Sequence, residues 1–275
     1  MDFDVAIIGG GSAGYSAAST AQSLGARVAI IDPGPLGGLC ILKGCMPTKT
    51  ILRTSDIMAL MRRAKEFGIQ SVDPQAHLSD INDRKNKLIK EFADYRIEQL
   101  SDPRFTLIQE KAEFISPHEI RIGDKTLKAK SFIIATGSVI ADYPISGLEE
   151  TGFVTSDDVL KMREAPESII VLGAGAVAVE LAQFLLRIGI KVTLLQRSSH
   201  ILSSGDEDLA RPVETRLRKE GMKLYTGTKL LRTKKDKGNP VVYFQHEGKE
   251  KNVRAQLILQ ALGRRPNIDG LQLES

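Results

Sequence analysis

Residues Val5–Asp32 and Ile169–Gln196 spell the same plan twice. Each opens on a short apolar run (VAII, IIVL), turns through glycines (GGGSAG, GAGAVA), continues in a helix of small and apolar residues, and ends in a second apolar run (RVAIID, KVTLLQ). Sixteen residues separate Gly9 from Gly25 in the first copy and Gly173 from Gly189 in the second. One glycine pattern of this kind is weak; two in the same registration, each between strands, mark a duplicated dinucleotide site. The first glycine (Gly9, Gly173) lets the chain turn sharply out of its strand. The second (Gly11, Gly175) puts no side chain between the backbone and a pyrophosphate, and the third position (Gly14, Ala178) lets the helix pack close to the strand. Backbone N–H groups at the helix start, from Ser12 and Ala13 in one copy and Ala176 in the other, then hold phosphate with the help of the helix dipole.

The strand ends separate the copies. Asp32, 23 residues after Gly9, is placed to accept hydrogen bonds from ribose hydroxyls. The same offset from Gly173 gives neutral Gln196, followed by Arg197. An arginine there attracts a ribose 2′-phosphate and a carboxylate repels it, so the second site leans to NADP over NAD. A plain surface arginine at a strand end is the competing reading.

Composition narrows the class. With 275 residues, 42% apolar and 26% charged, the chain is too apolar to be disordered, and at about 100–200 residues per domain it holds two domains. No stretch approaches the roughly 18 apolar residues of a membrane span, so a membrane is not expected as a partner. The start, MDFDVAII, is acidic and runs straight into a strand, unlike a signal peptide. The net charge of +4 is spread along the chain, and its one dense run, Lys234-Lys235-Asp236-Lys237, leads into Gly-Asn-Pro as a solvated turn. Nucleic acid is therefore not expected either. Two cysteines in the whole chain fit the cytoplasm better than a disulfide-stapled secreted protein.

Those two cysteines, Cys40 and Cys45, fall in PGPLGGLCILKGCMPTK, shortly after Asp32. Zinc fits poorly, because a structural site needs four ligands and no histidine lies nearby. A redox-active pair and two unrelated buried thiols remain. On a regular helix, residues five apart lie about 8–9 Å apart, beyond the roughly 4.4–6.8 Å that a disulfide spans. A bonded pair therefore needs a bend, which Gly44 and Pro47 suit. A helix N-terminus with Lys43 or Lys49 close by lowers a thiol pKa.

GGLCILKGCMPTK resembles the active-site segment of the flavin-dependent pyridine nucleotide-disulfide oxidoreductases, the group of dihydrolipoamide dehydrogenase, glutathione reductase and mercuric reductase. GGGSAG with Asp32 is similar to that family's FAD site, IIATGS (Ile133–Ser138) to its second FAD-domain motif, GAGAVAVE to its NAD(P) site, and ALGRRPN (Ala261–Asn267) to the stretch returning to the FAD domain. The resemblance implies an α/β chain of two Rossmann-like dinucleotide-binding domains with small β-meanders, the second nested in the first. FAD binds in residues 1–148, NADP or NAD in 149–262, and 263–275 begins the return segment. It implies that Cys40 is the interchange thiol and Cys45 the thiol against the flavin. Lys49 would sit near flavin N5 and pair with Glu180. Gly38, Thr136, Gly137 and Gly263 would belong to the cofactor sites, and the backbone of Ala112 would touch adenine. Electrons would pass from NAD(P)H through FAD to the Cys40–Cys45 disulfide, then to a disulfide, dithiol or small oxidant substrate.

Members of the family continue past the point matching Ser275, with a Gly-Asp flavin motif and a dimerisation domain bearing a His-Glu pair. The resemblance thus implies a chain truncated ahead of the homodimer interface and crippled in turnover, since acid–base assistance alone is worth about 10²–10⁴-fold. Two other readings stay open: a flavin NAD(P)H dehydrogenase with incidental cysteines, and a non-catalytic nucleotide-binding or redox-sensing fragment. His77, His118, His200 and His246 read as surface or turn residues. Helical spacing runs through 50–67 (Ile57, Leu60, Met61, Ala64, Phe67) and about 79–100 (Ile81, Leu88, Phe92, Tyr95), and the Met residues there read as core. Residues 105–134 read as a β-meander turning at Gly123-Asp124, and 222–260 as further strands.

Overall fold

The computed structural model describes residues 1–70 and 74–274. The elements of the first half, in chain order, are β1 (Phe3–Ile8), α1 (Ser12–Ser23), β2 (Val28–Ile31), α2 (Gly38–Leu42), α3 (Cys45–Arg62), α4 (Leu78–Leu100), β3 (Phe105–Ile108), β4 (Ala112–Ser116), β5 (Glu119–Ile122), β6 (Lys125–Ile134) and β7 (Ser138–Ile140). The second half adds α5 (Leu148–Thr151), α6 (Ser156–Val159), β8 (Ser168–Leu172), α7 (Ala176–Arg187), β9 (Lys191–Leu195), α8 (Glu207–Lys219), β10 (Lys223–Tyr225), β11 (Lys229–Asp236), β12 (Asn239–His246), β13 (Lys249–Arg254), β14 (Leu257–Gln260) and β15 (Arg264–Pro266). Two compact units result. One comprises Met1–Pro47, Asn86–Val139 and Arg264–Ser275; the other comprises Thr48–Lys85 and Ile140–Gly263.

The first unit is a six-stranded sheet in the order β3-β2-β1-β6-β5-β4. β3, β2, β1 and β6 run parallel, whereas β6, β5 and β4 form an antiparallel meander. β6 serves both patterns: its first residues pair with β5 and its last with β1. β2 is buried at all four positions because helices or strands cover both faces of a central parallel strand. Alternate residues feed two clusters. Ile7, Val28 and Ile30 pack with Leu100 and Phe105, while Ala6, Ile8 and Ile31 pack with Phe114 and Ile120. β3 belongs to the parallel sheet, so the meander starts at β4 rather than at residue 105.

The second unit repeats the theme with a four-stranded parallel sheet, β10-β9-β8-β14, and a separate antiparallel meander, β11-β12-β13. Ile169, Val171 and Leu194 face α7 through Leu181, Phe184 and Leu185. Ile170, Leu172 and Leu195 face Val242 and Phe244 of the meander. Ile51, Leu78 and Ile81 join the first of these clusters, which is why residues 48–85 count with the second unit and not with the 1–148 block read from the motifs. Lys85 and Asn82 reinforce that attachment by donating to the carbonyls of Leu160 and Met162 at the end of α6.

The apolar stripes of 50–67 and 79–100 are only partly covered, and of the methionines expected to be core Met58 is buried and Met61 exposed. Ile57, Leu60, Met61, Phe67, Phe92 and Tyr95 are exposed, whereas Ile51, Met58, Ala64, Ile81 and Leu100 are buried. Periodicity identifies which residues share a helix face; it does not say that the face is covered. The histidines also divide. His77 and His118 are exposed, but His200 and His246 are half-buried, His246 lying edge-on to the Tyr225 ring.

The two glycine turns rest on the same backbone contact. Gly9 (φ +110°) and Gly173 (φ +98°) each sit so close to a neighbouring strand end that a Cβ would lie 2.4 Å from the Ala135 carbonyl oxygen and 2.5 Å from that of Ala261, respectively. At the third position the copies differ. A Cβ on Gly14 would lie 1.7 Å from the Gly9 carbonyl oxygen, yet Ala178 is accommodated at 1% exposure. Gly14→Ala should therefore cost about 1–3 kcal/mol or more in urea denaturation, because rigid backbone must move. Ala178→Gly should cost only about 0.5–1 kcal/mol, the helix-propensity difference.

Candidate functional site

In the first unit a cavity of about 740 Å³ opens at the C-terminal ends of the parallel strands. Gly9, Asp32, Gly38, Ala112, Thr136 and Asn267 are among its lining residues. This is where ligands of open α/β sheets bind, beyond the strand ends at the point where strand order reverses. α1 begins beside it with Gly11 at the N-cap and no capping side chain, and its first ladder bond runs from Tyr15 N–H to the Gly11 carbonyl. The N–H groups of Ser12, Ala13 and Gly14 thus have no acceptor within the helix. Asp32 is held from both sides: Oδ2 accepts from Gly10 N–H at 2.6 Å and Oδ1 from Gly34 N–H at 2.8 Å. Each oxygen retains a lone pair for a ribose hydroxyl. An uncapped helix start, a carboxylate fixed at the end of β2 and a long cavity fit a dinucleotide such as FAD. Asn267, the last residue of ALGRRPN, is a site residue that its sequence context alone does not single out. Its N–H donates to the Gly137 carbonyl and its side chain approaches the Thr136 carbonyl at 3.4 Å, so it braces the IIATGS loop.

The cysteine segment reaches the same cavity, since Gly38, Leu39, Leu42 and Lys43 line it. Between α2 and α3 the helix breaks at Lys43–Gly44. Pro47 falls in the first turn of α3, where its missing N–H costs no ladder bond. The break turns Cys40 toward the start of α3, where its sulfur meets the Cys45 side chain and accepts from the Cys45 and Met46 N–H groups. Both residues are free thiols, Cys40 half-buried and Cys45 exposed. The Cys40 pKa is raised, not lowered. Burial pushes it up first, the hydrogen bond and charge repulsion with Cys45 push it further, and the two N–H groups only partly oppose them.

In the second unit, α7 starts like α1, with Gly175 as N-cap, no capping side chain, and Ala176 at its first position. Glu180, one turn further on, pairs with Lys49 of α3 at 2.5 Å, 131 residues away in sequence. Gln196 at the end of β9 is 8% exposed. Its amide turns inward to Ser203 Oγ (3.3 Å) and the His200 carbonyl (3.4 Å), so Gln196 does not face solvent. Arg197 does: it is exposed and makes no hydrogen bond or ion pair among the described residues. Gly263, expected at a cofactor site, lies in the second unit, where its carbonyl accepts from Ala141 N–H, and it does not line the first-unit cavity. No group of three or more metal-binding side chains occurs among the described residues. No helix among them is long and apolar enough to cross a membrane.

The family model for pyridine nucleotide-disulphide oxidoreductases matches residues 3–275. The chain belongs to this family. It is 34% identical to a mercuric reductase of Staphylococcus aureus over its whole length, covering 50% of that protein. It is 31% identical to a dihydrolipoyl dehydrogenase of Bacillus subtilis (strain 168), with 98% of the chain matched to 60% of the relative. Among solved structures, the HOCl-induced flavoprotein disulfide reductase RclA from Escherichia coli superposes with a TM-score of 0.81 at 28% identity, covering 98% of this chain and 59% of that one. The chain thus spans about half the length of several curated relatives it matches.

The thiol geometry of this family member makes an ordering testable. In reduced, cofactor-stripped protein, iodoacetamide should alkylate Cys45 before Cys40, because Cys40 is the less exposed and has the raised pKa. Peptide mapping by mass spectrometry reads the order; equal rates would contradict the geometry. Adding FAD should slow Cys45 selectively if that thiol lies against the flavin.

Proposed function

We propose that this chain forms the FAD- and NAD(P)H-binding part of a flavoprotein disulfide oxidoreductase whose redox pair is Cys40 and Cys45. The observation that carries the reading is the α2–α3 break. It brings the two thiols into contact at a helix N-terminus, in a segment that lines the dinucleotide cavity. The first unit takes FAD through Gly9, Gly11, the α1 N–H groups and Asp32. The second takes the nicotinamide nucleotide through Gly173, Gly175 and the start of α7. FAD, when bound, would supply a two-electron carrier that accepts hydride from NAD(P)H and delivers the pair to the cysteine disulfide.

The protein's own groups account for the rest. The Cys45 and Met46 N–H groups stabilise a thiolate on Cys40 once it forms, and that thiolate is the nucleophile in thiol–disulfide exchange. It attacks one sulfur of a substrate disulfide and expels the other as thiolate. Cys45 then attacks Cys40 Sγ, which re-forms the internal disulfide and releases the second substrate thiol. Lys49, with its ammonium held by Glu180, supplies positive charge for a reduced flavin, a preorganised interaction of the kind that dominates many active sites. A reducing cytoplasm suits the two free thiols. A dithiol or a small oxidant, including a thiophilic metal ion such as the name mercuric reductase denotes, is the substrate class to be compared with disulfides.

Thiol titration tests the proposal. FAD-loaded, air-oxidised chain treated anaerobically with NADPH should gain two titratable thiols, and extracted cofactor should be FAD. Flavin bleaching without new thiols would point to a flavin dehydrogenase with incidental cysteines. Flavin binding without bleaching would point to a nucleotide-binding module.

Arg197 further supports NADP as the nicotinamide partner, being an exposed, unpaired guanidinium next to the end of β9. Arg197→Glu should weaken NADPH binding about tenfold or more, the value of a lost charge-assisted hydrogen bond, and leave NADH binding little changed or improved. Calorimetry that finds NADH preferred by the unaltered chain overturns this choice.

A further inference from the structure

Within the second unit, α3 and α7 are joined at two places by charge. Lys49 meets Glu180, and Asp56 meets Arg187 at 2.5 Å. Both steps are seven residues, two helical turns or about 10.5 Å along each axis. The charge order is inverted, basic then acidic on α3 and acidic then basic on α7. Sliding one helix by two turns would bring Asp56 to Glu180 or Lys49 to Arg187, so like charges would oppose any other register at this spacing.

The two links differ in environment. Lys49 is 58% exposed, and such a pair is individually weak. Arg187 is 14% exposed, and its guanidinium donates to Asp56 from Nη1 and to both oxygens of Glu220, which is itself 12% exposed. Glu220 also accepts from Arg216 and Gln183, and the Arg187 carbonyl accepts from Arg62 at the end of α3. Glu220 caps the C-terminus of α8, where a negative charge opposes the helix dipole. Burial there would raise its pKa, yet hydrogen bonds from Arg187, Arg216 and Gln183 hold it down to about 2. The carboxylate is therefore charged and committed, and Arg187 is fixed by it before it meets Asp56.

We propose that Asp56, Arg187 and Glu220 are positioning residues: they lock α3 in register against α7, and that register keeps Lys49 on Glu180. The idea rests on the reading that Lys49 and Glu180 serve the flavin, but its test does not. Lys49 acylation by a small active ester, followed by mass spectrometry, is measured in the full chain and compared with Lys90, an exposed lysine paired with Asp94 elsewhere. Asp56→Asn and Arg187→Met should each raise the Lys49 rate by up to about fivefold, the range of a lost exposed pair, and leave Lys90 unchanged. Arg187→Lys, which keeps the charge but not the two-pronged donor, should fall between. If the Lys49 rate stays at the wild-type value in Asp56→Asn while the melting temperature falls, the network is structural only and the proposal is overturned. Asp56→Asn leaves the Arg187–Glu220 pair intact, so the test survives even if Arg187→Met does not fold. FAD protection of Lys49 in the unaltered chain reports separately on the flavin reading. No protection by FAD, with the Asp56→Asn effect intact, would remove that reading and leave the lock standing.

Discussion

A glycine pressed against a carbonyl holds each half of this protein in shape. Gly9 lies on the Ala135 carbonyl and Gly173 on that of Ala261, each at the seam between the first strand of its sheet and the strand on the other side. Any side chain there would push the two strand ends apart. With the seam closed, the Ala135 N–H reaches the Ile8 carbonyl and the Ala261 N–H the Leu172 carbonyl. The ladder thus stays paired to the edge of the turn, and α1 and α7 leave it with their N-termini aimed beyond the strand ends. Phosphate binding and the position of Asp32 both follow from that direction.

The same seam explains which residues could be read without coordinates. The glycine turns, Asp32, Arg197 and the cysteine pair announce themselves because their chemistry depends on neighbours a few residues away. Lys49 and Glu180, 131 positions apart, came only through resemblance to a known family. The seven-residue echo that joins Lys49 to Asp56 and Glu180 to Arg187 is visible in the sequence once the first pair is known. Nothing local, however, says that these two helices meet.

Other features depended on what covers a surface or turns toward it. The stripe of Ile57, Leu60 and Met61 has helical spacing and still faces outward. Gln196 has the right position for a ribose and turns its amide to Ser203 instead. Cys40 sits at a helix start, which alone would lower its pKa, but burial and the second sulfur outweigh two backbone donors. For Gln196 and Cys40 the sequence carries the local preference correctly and tertiary contacts decide the outcome, whereas the stripe is a helix face left exposed.

The interleaving of the two units bears on how the chain is made. The first unit is assembled from three stretches of sequence, and its last stretch places Leu271 in the core beside Phe114, whose N–H donates to the Leu271 carbonyl. Residues 140–263 lie between that stretch and the rest. At about 5–20 residues per second, the ribosome would deliver Leu271 about 7–27 s after the end of β6. Over that interval the apolar face of the meander lacks Leu271, and by its end every segment of the second unit has been made. On this order the second unit has all its segments before the first unit receives Leu271.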